Sequence, residues 1–277
     1  MSTDAVPAIQ NVSADEARRL LDAARPGEIT LLDVRMEPEY EEFHLPGAKL
    51  VPLPELPDRL GEIDQAKPVA VYCRSGMRSA AAAKLLAGAG FPRVVNLLGG
   101  AMAWQGAAAV GAPDAGMTLL SGAETPRQIL LAALGMEAAL GGFYQKLADA
   151  AGDAETAATF SRLAGFEERH LRHVHSLYAK ETGETADLEA LVAGTGPELE
   201  GGLPATAFLE MLGGEPASAR EALELAASVE AQALDLYTRL ARQTGDKAAK
   251  TLYETLSLEE KAHLRAVANL LARLPEA

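Results

Sequence analysis

The sequence predicts two domains: an α/β unit with a mainly parallel sheet, then an all-α four-helix bundle. Three observations predict this. Short apolar runs alternate with helix-like segments from Ile29 to about Val110. Beyond Pro126 strand signals vanish and four long periodic segments follow, and those segments repeat one another at a fixed spacing. With 277 residues, 48% of them hydrophobic, the chain can bury two cores of ordinary size.

The first domain is expected over residues 1–113. "SADEARRLLDAA" reads as a helix, "ITLLDV" as a buried strand, "PVAVYC" as a second and "RVVNLL" as a third. Between the last two, "SAAAAKLLAGAG" reads as a helix that stops at Gly90. Strands separated by helices imply a parallel sheet, whose ligand sites lie beyond the carboxyl ends of the strands. Residues 114–125, rich in Gly and Ala, read as a linker. The second domain is expected over 126–277, with helices at about 126–151, 153–182, 218–244 and 246–274. Short turns near Gly152 and Gly245 join the members of each pair, and a long connection joins the pairs. Two antiparallel pairs with a long crossover describe the ferritin-like topology.

Cys73 is the only cysteine, so an internal disulfide or dithiol relay is excluded. It ends a strand and enters the loop "CRSGMR", which runs into a helix. Amides curled at a helix N-terminus, with Arg74 and Arg78, favour a thiolate and attract an anion. Arg78 lies five residues after Cys73. This C-x4-R loop is shorter than the C-x5-R loop of phosphatases and encloses a smaller volume, suited to a sulfur atom on the thiol.

Three motifs in order resemble the rhodanese-like sulfurtransferases. They are "LLDVRMEPEYEEFHLPGA", with Asp33, Arg35, His44, Pro46 and Gly47; "YCRSGMRSA"; and "GFPRVVNLLGGAMAW". Phe43 departs from the glycine many members place before the histidine. The resemblance implies that Cys73 carries a persulfide, and that Arg74, Ser75, Gly76, Met77 and Arg78 bind the donor. It assigns His44 a structural place in the turn. The implied partners are a small-molecule or protein sulfur donor and a thiol acceptor.

The helical half contains a duplication. "MEAALGGFYQKLADAA" pairs with "VEAQALDLYTRLARQT", and "EERHLRHV" with "EKAHLRAV", every matched pair 93 residues apart. Glu137 aligns with Glu230, Glu167 with Glu260, His170 with His263 and Tyr144 with Tyr237. In each E-x-x-H the carboxylate and imidazole share a helix face. Four carboxylates and two neutral imidazoles balance two divalent ions, and oxygen and nitrogen donors suit iron, with manganese or zinc as alternatives. His173 and His175 are expected to face solvent.

Residues 126–277 resemble the rubrerythrin-like branch of the ferritin-like proteins. The matching metal positions are Glu137, Glu167, His170, Glu230, Glu260 and His263. The chain departs from that family in two respects. It cannot build a four-cysteine iron site, and Ala233 stands where an extra carboxylate is usual. The resemblance implies a di-iron domain fused to a sulfurtransferase, doing redox chemistry with oxygen, peroxide or sulfur species. Alternatives are a bundle that binds metal or dimerises without turnover, and iron storage.

The formal net charge is -14, unevenly divided: residues 1–113 carry 14 acidic and 11 basic side chains, the remainder 25 and 14. That field repels nucleic acid and anionic membranes, so neither is an expected partner. The N-terminus lacks a basic, then apolar, leader pattern, which points to the cytoplasm. Helix faces of such bundles associate, so a homodimer is expected.

Overall fold

The computed structural model describes residues 8–117 and 119–274. It divides into two compact units, Met1–Asp114 and Ala115–Ala277. In the first, β1 (Ala8–Val12), β2 (Thr30–Asp33), β3 (Lys49–Leu50), β4 (Val69–Tyr72) and β5 (Arg93–Leu97) form one sheet. Its order is β1-β5-β4-β2-β3, and every neighbouring pair is parallel. β2, β4 and β5 are the strands the apolar runs predict. β1 interrupts its apolar pattern with Gln10 and Asn11, as an edge strand can, and β3 is two residues long, too short for a periodic signal.

Residues of α1 (Ala14–Ala23) and α2 (Glu37–Glu42) pack with Ala70 and Tyr72 of β4. Those of α3 (Leu56–Arg59) and α4 (Met77–Gly88) pack with Val69, Val71 and Cys73. The two-residue alternation along β4 therefore sends Cys73 toward α4. Gly90, in the left-handed region at φ +88, follows α4 and lets the chain reverse toward β5.

The second unit contains α5 (Pro126–Ala150), α6 (Ala154–Thr182), α7 (Leu188–Val192), α8 (Ala205–Leu212), α9 (Ala219–Gln243) and α10 (Lys247–Leu271). Its four long helices begin where short polar side chains satisfy free amides. Thr125 forms a capping box with Gln128, and Asp153, Ser218 and Asp246 accept from the first turns of α6, α9 and α10. α5 packs on α6 and α9 on α10, while α6 also meets α9 and α5 meets α10. The long connection holds α7 and α8. Among the described residues no helix is long and apolar enough to cross a membrane.

The stretch expected as a linker belongs to the helical unit from Ala115 onward. Leu120 is buried in the core with Leu134, Leu236 and Tyr253. Arg239, itself buried and paired with Asp235 at 2.7 Å, donates from Nη2 to the Ala115 carbonyl at 2.7 Å. Small residues here serve close packing: the position of Gly116 is so near the Gly201 carbonyl that a side chain would collide with it.

Candidate functional site

Cys73 stands at the carboxyl end of β4, between β5 and β2. Gly76, at φ +95, turns the loop so that its amide donates to Cys73 Sγ at 3.2 Å. The loop is braced from beneath: Ala101 N–H donates to the Cys73 carbonyl at 2.7 Å and Met102 N–H to the Arg74 carbonyl at 3.0 Å. Burial pushes the Cys73 thiol up, but hydrogen bonds from the amide and hydroxyl of Ser79 and the amides of Ser75 and Gly76 outweigh it. The net shift is downward, toward the reactive thiolate.

The five predicted loop residues behave differently from one another. Arg74, Ser75 and Met77 are exposed, whereas Gly76 and Arg78 are half-buried. Arg78 is engaged by Glu39 of α2, Nη1 to Oε2 and Nη2 to Oε1, both at 2.6 Å. The Arg78 fork holds the Glu39 carboxyl down at about 2. Sequence reasoning missed Glu39, Ser79 and the brace at 99–103. The signal for Glu39 was the need of a half-buried guanidinium for a counter-charge.

His44 is buried, stacked on Tyr40 with ring centroids 3.7 Å apart, and bridged by backbone to Ala109. Asp33 and Arg35 form a buried pair, Nη2 to Oδ2 2.7 Å, and Arg35 also donates to the Phe43 carbonyl at 2.6 Å. These motif residues fasten the turn before β3 and do not reach the thiol's hydrogen-bond set.

In the helical unit the six predicted ligands gather into two groups, Glu137 with Glu167 and His170, and Glu230 with Glu260 and His263. Within each group the candidate donor atoms lie within 4.8 Å of one another. The first group comes from α5 and α6, the second from α9 and α10. The His170 and His263 rings stack at 3.5 Å and 5°, joining the groups. All four glutamates are buried, between 1% and 3% exposed.

Burial pushes the Glu260 and Glu167 carboxyls up. For Glu230 burial is outweighed by the charge and hydrogen bond of His263, which hold it down. His263, against its burial, is held protonated by Glu260 at 3.1 Å and Glu230 at 3.0 Å. Four carboxylates sunk in an apolar bundle call for cations, and the donor set of oxygens and imidazole nitrogens fits two divalent ions.

Tyr144 and Tyr237 are buried in the two apolar clusters of the bundle, and Ala233 is fully buried. His175, expected to face solvent, is half-buried and donates from Nε2 to the Ala186 carbonyl at 2.8 Å. His173, with a side chain 57% exposed as expected, pairs with Glu259 at 2.8 Å. Neither member of that pair is reproduced by the duplication, which places Phe166 and Ala266 at the aligned positions. A search for the repeat therefore passes over it.

A family model for the rhodanese-like domain matches residues 13–107, and one for rubrerythrin matches residues 128–271. The Bacillus subtilis protein YrkF is 31% identical over 105 residues, 38% of this chain and 56% of that one. The chain thus spans little more than half the length of that relative. A sulfurtransferase of Allochromatium vinosum is 38% identical over 88 residues, 32% of this chain and 79% of that one. The crystal structure of a rhodanese-like domain protein from Staphylococcus aureus is 30% identical, covers 34% of this chain and 90% of its own, and superposes with a TM-score of 0.32.

Proposed function

Because the chain belongs to the rubrerythrin family and carries a rhodanese-like domain ahead of that match, we propose that it moves sulfane sulfur through a persulfide on Cys73 and couples this to redox chemistry at a di-iron site. The observation that carries the first half is the hydrogen-bonded thiol in its C-x4-R loop. The Cys73 thiolate attacks the outer sulfur of a donor, either thiosulfate or a persulfide. The donor S–S bond breaks, a new S–S bond forms on Cys73, and sulfite or a thiolate leaves with the bonding pair. An acceptor thiolate then attacks the outer sulfur and returns Cys73 to its thiolate. No electrons are gained or lost overall, so the transfer needs only thiolate stabilisation, supplied by the amides of Gly76 and Ser75 and by Ser79.

In the bundle Glu137, Glu167 and His170 would hold one ion, and Glu230, Glu260 and His263 the other. When bound, the ions supply electron transfer toward oxygen, peroxide or sulfur species. His263 holds a proton at Nδ1 between Glu230 and Glu260, and that nitrogen would have to lose it to serve as a ligand.

Two measurements test the reading. Cys73→Ser should lose all persulfide by mass spectrometry and all transfer from thiosulfate or an organic persulfide; retained transfer sinks the first half. Metal analysis of the iron-loaded protein, followed by mixing with oxygen or peroxide, tests the second. Oxidation that disappears in Glu167→Ala supports redox turnover, while bound metal with no reaction leaves the bundle a metal-binding module.

A further inference from the structure

The loop that holds Cys73 carries two guanidinium groups, of which Arg74 is exposed and Arg78 is engaged by α2. Both edges of the Arg78 fork end on the carboxylate of Glu39, at 2.6 Å each. The pair is partly withdrawn from water, the two side chains being 34% and 23% exposed. The Arg78 charge is felt by Cys73, so it counts in the field at the thiol. Glu39 also accepts from the Met36 amide at 3.2 Å, which fixes it at the start of α2. That helix presents further carboxylates at Glu37, Glu41 and Glu42.

We propose that Glu39 determines the donor class of Cys73: by clamping Arg78 it withdraws one of two loop cations from an incoming anion, so the site takes sulfur from an organic persulfide in preference to the thiosulfate dianion. This rests on the sulfurtransferase reading of Cys73. With Arg74 and Arg78 set against Glu39 and the thiolate, the loop is neutral before a donor arrives. A dianion leaves it doubly negative, whereas a persulfide adds one charge at most. Repulsion between the Glu39 carboxylate and a donor several ångströms away through water is worth about threefold per unit of donor charge, hence about tenfold for a dianion and about threefold at most for a persulfide.

The rim of the loop agrees with that selection. Met77 is 80% exposed, Met102 70% and Met36 47%. Met77 lies in the loop itself, Met102 is bonded to the Arg74 carbonyl, and Met36 caps the helix that carries Glu39. Thioethers exposed on the loop and on the segments bonded to it offer a soft, weakly charged sulfur compound more than they offer a hydrated oxyanion. The transfer is balanced without an oxidant: Cys73–S⁻ and R–S–SH give Cys73–S–SH and R–S⁻, the donor S–S bond breaking as the new one forms.

The test uses the full chain with two donors, thiosulfate and 2-hydroxyethyl persulfide. Glu39→Gln keeps the shape and removes the charge. It should raise kcat/KM for thiosulfate about tenfold, mainly through KM, and change the persulfide value by no more than about threefold. An unchanged ratio of the two, in a variant that still forms persulfide on Cys73, overturns the inference. A salt series on the unaltered protein gives an independent check if the variant folds poorly. From about 20 to about 300 mM NaCl, kcat/KM for thiosulfate should stay level or rise, since a neutral loop beside an acidic helix gains nothing from an unscreened field. A fall of more than about threefold marks a cationic donor site and overturns it. Absence of Cys73 persulfide from either donor is a separate result, and it removes the sulfurtransferase reading itself.

Discussion

Replacing Gly100 by alanine should disable Cys73 without touching the thiol. Gly100 sits in the left-handed region at φ +58, where an L side chain costs about 1–2 kcal/mol. A Cβ there would meet the carbonyl carbon and oxygen of Arg74 at 2.7 Å each, and would press still closer on the Cys73 carbonyl. Real Cβ contacts stay beyond 3.0 Å, and all three obstacles are backbone, so the loop must retreat by roughly half an ångström or more. That retreat stretches the 2.7 Å bond from Ala101 N–H to the Cys73 carbonyl, a further loss of about 1 kcal/mol. Together the two terms predict a Tm lowered by about 10 °C for a unit of this size. Displacement on this scale at a reacting atom costs up to about a hundredfold in rate. The assay is the rate of Cys73 alkylation by iodoacetamide alongside persulfide yield. Gly88→Ala is the control, since a Cβ there meets nothing within 4 Å and adds helix propensity. Alkylation and persulfide yield both within about twofold of the unaltered protein would refute the reasoning that the brace positions the thiol.

Other consequences follow from named contacts. Ser79→Ala removes a hydroxyl that favours the thiolate, so the pH midpoint of Cys73 alkylation should move upward. Glu39, held at about 2 by Arg78 against an ordinary 4.5, contributes stability that is complete above pH 4.5 and is lost as the pH falls toward 2. Acid titration followed by circular dichroism should show that window, and Glu39→Gln should flatten it. Asp235→Ala takes the carboxylate from a guanidinium only 2% exposed and should destabilise the helical unit by about 3–5 kcal/mol in urea unfolding, with Asp235→Leu plus Arg239→Met recovering most of it. Glu137→Ala should lower bound metal from two ions per chain toward one, read by elemental analysis.

Much of this was legible because the chemistry lies in local spacing. The C-x4-R loop, each E-x-x-H and the polar residues that open the four long helices are written within one or two turns of chain, and the six candidate ligands show through a repeat at a fixed 93-residue spacing. What escaped depends on contacts between distant segments. Glu39 is one of four glutamates in "EPEYEE", and its partner lies 39 residues away, so only the path from β2 through α2 selects it. Residues 115–125 have the composition of a tether, yet Leu120 and the Arg239 bond to Ala115 seat them on the bundle. The small side chains there mark close packing as well as they mark flexibility. The Glu259–His173 pair escaped for the opposite reason, because the repeat that revealed the ligands has no counterpart for it.

The grouping of the ligands bears on how the helical unit folds. Glu137, Glu167 and His170 all lie in the α5–α6 hairpin, and Glu230, Glu260 and His263 in the α9–α10 hairpin, so each triad closes a loop of 33 residues. A triad drawn from both hairpins would span up to the 126 residues from Glu137 to His263. The shorter closure is favoured by about 1.2 kcal/mol of chain entropy per triad. An ion can therefore be captured by one hairpin while the long connection is still unfolded, and the second hairpin then docks onto a partner whose charges are already neutralised. Refolding in the presence of metal should be faster than in its absence, and the gain should survive extension of the connection between α6 and α9.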